Sequence, residues 1–507
     1  MSNKPSFNQQ SGHSAHDSRS SAKERLLKTT RRQWVWFTVW AVFVLLFALW
    51  ARSAWVLLLL PLLLDIYITK FVPWGFWKKS KNSAFRKTME WVDAILFALI
   101  AVYFINTFFF QNYQIPTSSL EKSLLVGDFL AVSKLSYGPR APITPLSFPL
   151  AQHTMPVVGG KSYIEKPQWK YRRLKGFGKV QRNDIVVFNF PPGDTVALNQ
   201  QGVDFYTLAK YHPEGSAGIR ADKRTYGEVV YRPIDRRENY VKRCIGLPGE
   251  TLEMRDDSVF IDGEYLPNPR LAQHNYMIHT DGTPISVDLF TELGINKADY
   301  LQDAYGQAAP RSQDLTGVDS VSMALFGLQA RDGNNGRIYY SIPMTAEMVE
   351  KMKARPFVWN IIKEQEQPGL NYYYPLDHEG GWTRDTYGPL WIPARGATIT
   401  FDNDVDYKVA AYERCIKNYE GNQFDYRDGK VYINGQEADS YTFKYDYYFM
   451  MGDNRHNSAD SRSWGFVPED HIVGSPMLIW LSLEKDRNWF NGKIRWGRLF
   501  RKANIPA

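Results

Sequence analysis

Three apolar runs crowded into the first 110 residues limit how this chain can fold more than any other feature. Trp34 to Trp50 is followed, after only Ala51-Arg52-Ser53, by Ala54 to Val72, and Trp91 to Phe110 comes third. Each approaches the ~20 residues that a helix needs to cross a bilayer. The runs are long and nearly uncharged, which favours membrane spans over buried helices of a soluble core. Asp65 and Asp93 sit toward the ends of their runs, where snorkelling or helix-end placement accounts for them. Trp34, Trp36, Trp50, Trp55 and Trp74 cluster where an interfacial aromatic belt belongs. Two runs following the first almost without a gap make a cleaved signal peptide a poor description.

Charge is distributed to match. The chain carries a formal net charge of +8. Residues 1–90 hold 14 Lys+Arg and 4 Asp+Glu, a net of +10; the remaining 47 basic and 49 acidic residues net −2. A nucleic-acid binder spreads basic charge through its folded body. Here the excess flanks the apolar runs, so the implied partner is an anionic membrane surface and no nucleic acid. The basic tail, Lys23 to Arg32, and the loop carrying Lys78, Lys79, Lys81, Arg86 and Lys87 should both face the cytoplasm. Three crossings would then place everything after Phe110 outside.

Hydrophobic residues at 44% and aromatic residues at 15% exclude a disordered body. Two cysteines, Cys244 and Cys415, exclude a disulfide framework or a Cys-rich zinc site. From Gln111 onward short β-branched runs take over: Asp184 to Phe190, Tyr240 to Ile245, Ser258 to Ile261, Ala397 to Phe401 and Lys430 to Ile433. Asp262-Gly263 and Asn434-Gly435 signal hairpin turns. The expected fold is mainly β, with three transmembrane helices ahead of it and a large α+β insertion. The expected segments are a disordered basic tail (1–33), a membrane domain (34–110, basic loop 75–90), a β domain in two parts (111–263 and 396–485), the insertion (264–395) and a basic C-terminal tail (486–507).

Three segments carry candidate chemistry. Tyr113-Gln-Ile-Pro-Thr-Ser-Ser119-Leu-Glu-Lys follows the third apolar run with almost no spacer. A serine there becomes a nucleophile only beside a base; otherwise this is an ordinary Ser/Thr-rich helix exit. In Asn239-Tyr-Val-Lys242-Arg-Cys-Ile-Gly-Leu-Pro-Gly-Glu250, Lys242 alternates with Val241 along a strand. On the inward face it would be desolvated and its pKa lowered, as a general base requires; on the outward face it would be solvated. Met451-Gly-Asp-Asn-Arg-His-Asn-Ser458-Ala-Asp460-Ser-Arg462 is dense in turn-forming and ion-pairing side chains, and most of it would be scaffolding.

Together and in this order, the three segments resemble the boxes of bacterial type I signal peptidases, membrane serine proteases with a Ser/Lys dyad. The match spans roughly residues 90–138, 182–262 and 430–480. The resemblance implies Ser119 as nucleophile and Lys242 as general base. It implies an oxyanion hole from the Ser119 N–H and Thr117, and dyad support from Ser458, Asp460, Arg462 and Arg243. Substrate pockets would be lined by Tyr113, Ile115, Pro116, Leu120, Leu130, Val187, Tyr240 and Val241, favouring small residues at the first and third positions before the cut. No cofactor and no metal is implied. The implied partners are signal-peptide-bearing preproteins, membrane lipid and the protein-export translocon. The implied location is the inner (cytoplasmic) membrane, multi-pass, with the catalytic domain on the extracytoplasmic side. Leu120 stands where the family usually has Met, Glu121-Lys122 where a Pro is familiar, and His456 where many members carry Asp. An inactive relative that binds peptides or scaffolds a secretion complex is the alternative. So is a histidine base, His456 or His471, in place of Lys242.

Overall fold

The computed structural model describes residues 29–157, 159–295, 299, 311–314, 336–366, 373–376, 381–485 and 487–504. The tail up to residue 28 lies outside them. The chain divides into two compact units, Met1–Leu99 and Ile100–Ala507.

In the first unit, helix α1 (Arg31–Ala51) is long and apolar enough to cross a membrane, and so is α2 (Ser83–Phe108), which runs on into the second unit. The expected middle span is not one. Its residues form only a short broken helix, Ala54–Thr69, about 24 Å long at 1.5 Å per residue. The hydrocarbon core is ~30 Å thick. Side-chain chemistry stops this helix early. The Asp65 carboxylate accepts from the Thr69 hydroxyl (2.5 Å), the Phe71 and Val72 N–H groups (2.7 and 3.1 Å) and the Trp74 indole (2.9 Å). The chain turns at Lys70 in the left-handed region. The short helix folds back on α1, touching it along its length. Among the described residues, two helices of spanning length, not three, precede the body.

The second unit is mixed α and β, not mainly β. Its principal sheet comprises β1 (Phe110–Gln114), β2 (Asp128–Ser133), β3 (Ile185–Asn189), β4 (Asn239–Gly246), β5 (Tyr447–Met451), β6 (Val467–Pro468), β7 (Ile472–Ser482) and β8 (Arg501–Lys502). The order is β1-β2-β7-β3-β4-β5-β6, with β8 also on β7, and every pairing is antiparallel. The sheet curls until the turn after β1 meets β4. Ile115, Leu120, Leu124, Leu130, Val132, Ile185 and Val187 fill the concave side as one core.

A second sheet orders strands Tyr387–Trp391, Thr251–Arg255, Ser258–Ile261 and Glu264–Leu266 over a larger core with helix Val405–Arg414. Asp262-Gly263 and Asn434-Gly435 both hold φ near +50° and then +80°, as two-residue hairpin turns require. Part of the expected insertion packs around a core cluster of its own. Strands His274–Thr280, Gly336–Met344 and Val358–Lys363 pair beneath helices Val287–Glu292 and Ala346–Lys353, around Ile278, Phe290, Tyr340, Ile342 and Met352. Thr345 caps the second helix through its hydroxyl. Strand Tyr387–Trp391, inside the expected insertion, pairs with Thr251–Arg255 of the body instead. Cys244 and Cys415 are buried free thiols.

Candidate active site

The site forms where the turn after β1 meets the middle of β4. The Ser119 side chain is buried, and the Lys242 amine donates to its Oγ at 2.6 Å. Successive side chains of β4 point to opposite faces. Lys242 thus meets Ser119, while Arg243 forks onto Asp453 with Nε–Oδ1 at 2.8 Å and Nη2–Oδ2 at 2.7 Å. Burial holds the Lys242 pKa down to about 8. Asp460 and Asp453 oppose that shift and Arg462 assists it. The Lys242 amine also lies 5.7 Å from the Tyr240 ring centre.

The loop after β5 fixes the serine turn. Asn454 is fully buried; its N–H donates to the Ser119 carbonyl (3.1 Å) and its side chain to the Ser118 carbonyl (3.2 Å). Asp453 accepts from the Ser123 hydroxyl at 2.6 Å as well as from Arg243. Arg462 grips Asp460 through Nε (2.9 Å) and Nη2 (2.8 Å), and Asp460 accepts the Gly452 N–H at 3.0 Å. Burial opposes the charge on Asp460, but Arg462 and these donors carry the pKa below the ordinary carboxylate value. Position 452 has to be glycine, since a Cβ there would lie 2.3 Å from the Ser458 Oγ and 2.6 Å from the Ser119 carbonyl. Asn454 and Asp453 were inside a segment singled out in the sequence. Their roles are not legible in the sequence because their partners, the serine turn and Arg243, lie more than 200 residues away along the chain.

The other expected residues divide. Ile115, Leu120, Leu130 and Val187 are buried together, with Tyr113 and Val241 packed against them. Tyr240 faces another cluster, stacked on Phe190 at 4.5 Å. Pro116 and Thr117 are exposed. Ser458 makes no hydrogen bond to Lys242; its buried Oγ lies toward Asp460, whose carboxylate it helps to keep charged. Among the described residues the Ser119 N–H also donates to nothing. Lys122, at φ +72°, reaches the Gly294 carbonyl and so ties the serine turn to the insertion.

The ring nitrogens of both candidate histidines are engaged elsewhere. His471 pairs Nδ1 with Asp470 (2.6 Å) and Nε2 with Arg237 (2.9 Å). His456 accepts the Asn275 N–H on Nδ1 (3.1 Å), so its hydrogen is assigned to Nε2, 3.0 Å from Asp385. Asp257, His274 and His456 are close enough to share a metal ion. The donor set fits one poorly. The His456 Nε2 carries the hydrogen that a metal would displace, and Lys363 already sits 2.8 Å from Asp257.

With this geometry in view, comparison with known proteins is informative. The family model described as "Signal peptidase, peptidase S26" matches residues 88–321 and 439–481. The chain is 23% identical over 424 residues to the signal peptidase I of Buchnera aphidicola subsp. Acyrthosiphon pisum, covering 83% of each. It is also 23% identical over 428 residues to that of Haemophilus influenzae, covering 83% of this chain and 78% of the relative. A shorter match, 61% over 36 residues, links it to the signal peptidase I of Aquifex aeolicus, at 7% of this chain and 14% of that one.

Proposed function

The chain belongs to the signal peptidase S26 family of peptidases, and on that premise we propose that it removes signal peptides from exported preproteins by Ser119/Lys242 acyl-enzyme chemistry. The observation that carries the dyad is the 2.6 Å contact between a buried serine hydroxyl and a buried amine whose pKa is drawn down to about 8. In its neutral form Lys242 takes the Ser119 proton as Oγ attacks the scissile carbonyl. The tetrahedral oxyanion is met by the unengaged Ser119 N–H and the Thr117 hydroxyl; one such donor is worth ~3–4 kcal/mol. Lysinium returns the proton to the departing amine, and the neutral amine then activates water to hydrolyse the acyl-enzyme. Ser458, whose buried hydroxyl lies toward Asp460, steadies the amine during these transfers. The Arg462–Asp460 and Arg243–Asp453 pairs hold the loop and strand in place.

Two unpaired edges supply the substrate slot. β4 pairs with β3 throughout Asn239–Arg243 but with β5 only from Arg243 onward, so its first half is open on one side. β1 pairs only with β2 among the described strands. A peptide segment enters as an added strand between them. The first and third residues before the cut face the cluster of Tyr113, Ile115, Leu120, Leu130, Val187 and Val241. These walls are already filled by branched side chains, which leaves room only for small residues.

α1 and the short helix that folds back on it enter and leave the inner membrane from its cytoplasmic side, so the pair makes no net crossing and both basic segments, the tail and residues 75–90, stay on that side. The crossing by α2 then carries the body outward. This restores the outward placement without a third span. Leu146 and Leu150, and Trp489, Phe490, Trp496 and Phe500, are each half or more exposed, and we place them against lipid. The protein-export translocon is the neighbour that would deliver substrate. The decisive experiment incubates detergent-solubilised protein with a preprotein beside Ser119→Ala. Cleavage by the first and none by the second is expected; equal cleavage, or none by either, refutes the protease.

A further inference from the structure

A cavity of about 670 Å³ opens along β1 from Gln114 back to Gln111 and reaches Asn239 at the open end of β4. It continues the slot just described, in the direction away from Ser119. Lys242 and Asn239 are three residues apart on one strand, ~10 Å at 3.3 Å per residue. A peptide strand with its scissile bond at Ser119 therefore passes the cavity from about the fourth residue before the cut onward.

The charged side chains of the lining are Lys134, Arg140, Arg236 and Asp235, three cations to one anion. Three of these four are committed. Asp235 accepts from the Ile143 and Thr144 N–H groups (3.0 and 2.8 Å) and from the Thr144 hydroxyl (2.7 Å). Arg140 donates to Asn189 (2.7 Å) and to the Asp470 carbonyl. Arg236 donates to Ser147 at 2.8 Å. The Lys134 ammonium makes no hydrogen bond to any described residue. Burial, with Arg140 and Arg236 adding to it, holds its pKa down to about 7. Lys134 is half-buried on the cavity wall with no protein acceptor, and an acceptor that arrives with a ligand would supply the hydrogen bond its amine lacks.

We propose that this cavity is a substrate subsite for residues about four to seven before the cut, where Lys134 selects a hydrogen-bond-accepting side chain, carboxylate or amide, over a cationic one. The inference rests on the proposed cleavage reaction for its direction. Continuity with the two open edges, and the amides of Gln111, Gln114 and Asn239, favour a peptide over an anionic lipid headgroup.

The test uses the full chain in phosphatidylcholine vesicles, with and without an anionic lipid, and one preprotein carrying Glu, Gln, Leu or Lys at each of those four positions. The quantity read is the Glu:Lys ratio of kcat/KM within each enzyme, alongside the same ratio of binding constants to Ser119→Ala. At one position the ratio should be at least tenfold in wild type, fall to within about twofold in Lys134→Met and persist in Lys134→Arg. General structural damage lowers all substrates alike and leaves the ratio intact. A ratio near one at every position, a preference that survives Lys134→Met, or a Lys134 effect seen only with anionic lipid overturns the proposal. Loss of cleavage with the binding ratio preserved would instead strike the proposed chemistry and leave the subsite standing.

Discussion

Lys242 and Arg243 are chain neighbours, both buried and both cations by type, yet the two faces of β4 treat them in opposite ways. Arg243 receives a carboxylate in bidentate geometry. Lys242 receives a neutral hydroxyl, and the carboxylates of Asp453 and Asp460 act on it only through space. A buried cation that is fully paired keeps its charge and holds structure together. One that is desolvated without a direct counter-ion becomes easy to deprotonate. The difference lies in the partner, not in the depth of burial.

The sharpest way to break this comparison is to exchange the cations. Lys242→Arg keeps a positive charge but cannot shed its proton. Cleavage should fall ~10⁴-fold, as loss of a catalytic group does elsewhere; a preprotein assay with residual activity above a few per cent would refute Lys242 as the base. Next in size is the structural face. Asp453→Ala strands Arg243 without its counter-ion, and removing one partner of a buried pair costs ~3–5 kcal/mol. Denaturant unfolding should show that loss, and an undisturbed midpoint would count against the pairing.

The smaller effects lie in pH. Lys242 is active as the free amine and its pKa is about 8. Lowering the pKa moves the onset of the neutral form downward, so kcat/KM should rise with pH and level off above about 8. Asp460 raises that pKa, so Asp460→Asn should move the rising limb to lower pH among molecules that remain folded. A limb that moves upward would show that Asp460 acts by another route. Smallest of all, His456→Ala should retain most cleavage, because its Nδ1 accepts from Asn275 and its Nε2 lies beside Asp385, not Ser119.

Much of the body was legible locally. The strand runs around Val187, Val241 and Val259 and the Asp262-Gly263 and Asn434-Gly435 turns follow from short-range rules of alternation and φ preference. The membrane segment was legible only in composition. Ala54 to Val72 is apolar enough to cross, but the Asp65 carboxylate gathers four donors from the next nine residues and ends the helix there. A hydropathy count cannot see that competition.

The amino-acid order alone determined the apolar anchors, the basic segments beside them, the serine and lysine boxes and the family they resemble. Those depend on residue type and near-neighbour spacing. Only the tertiary structure decided which face of β4 carries Lys242, that Asn454 pins the serine turn, that Ser458 makes no hydrogen bond to Lys242 and that Lys134 lines a cavity without hydrogen-bonding any described residue. Each of these depends on chain segments more than a hundred residues apart closing on one another. Desolvation and hydrogen bonding act on the neighbours that such closure brings, whatever their distance along the chain.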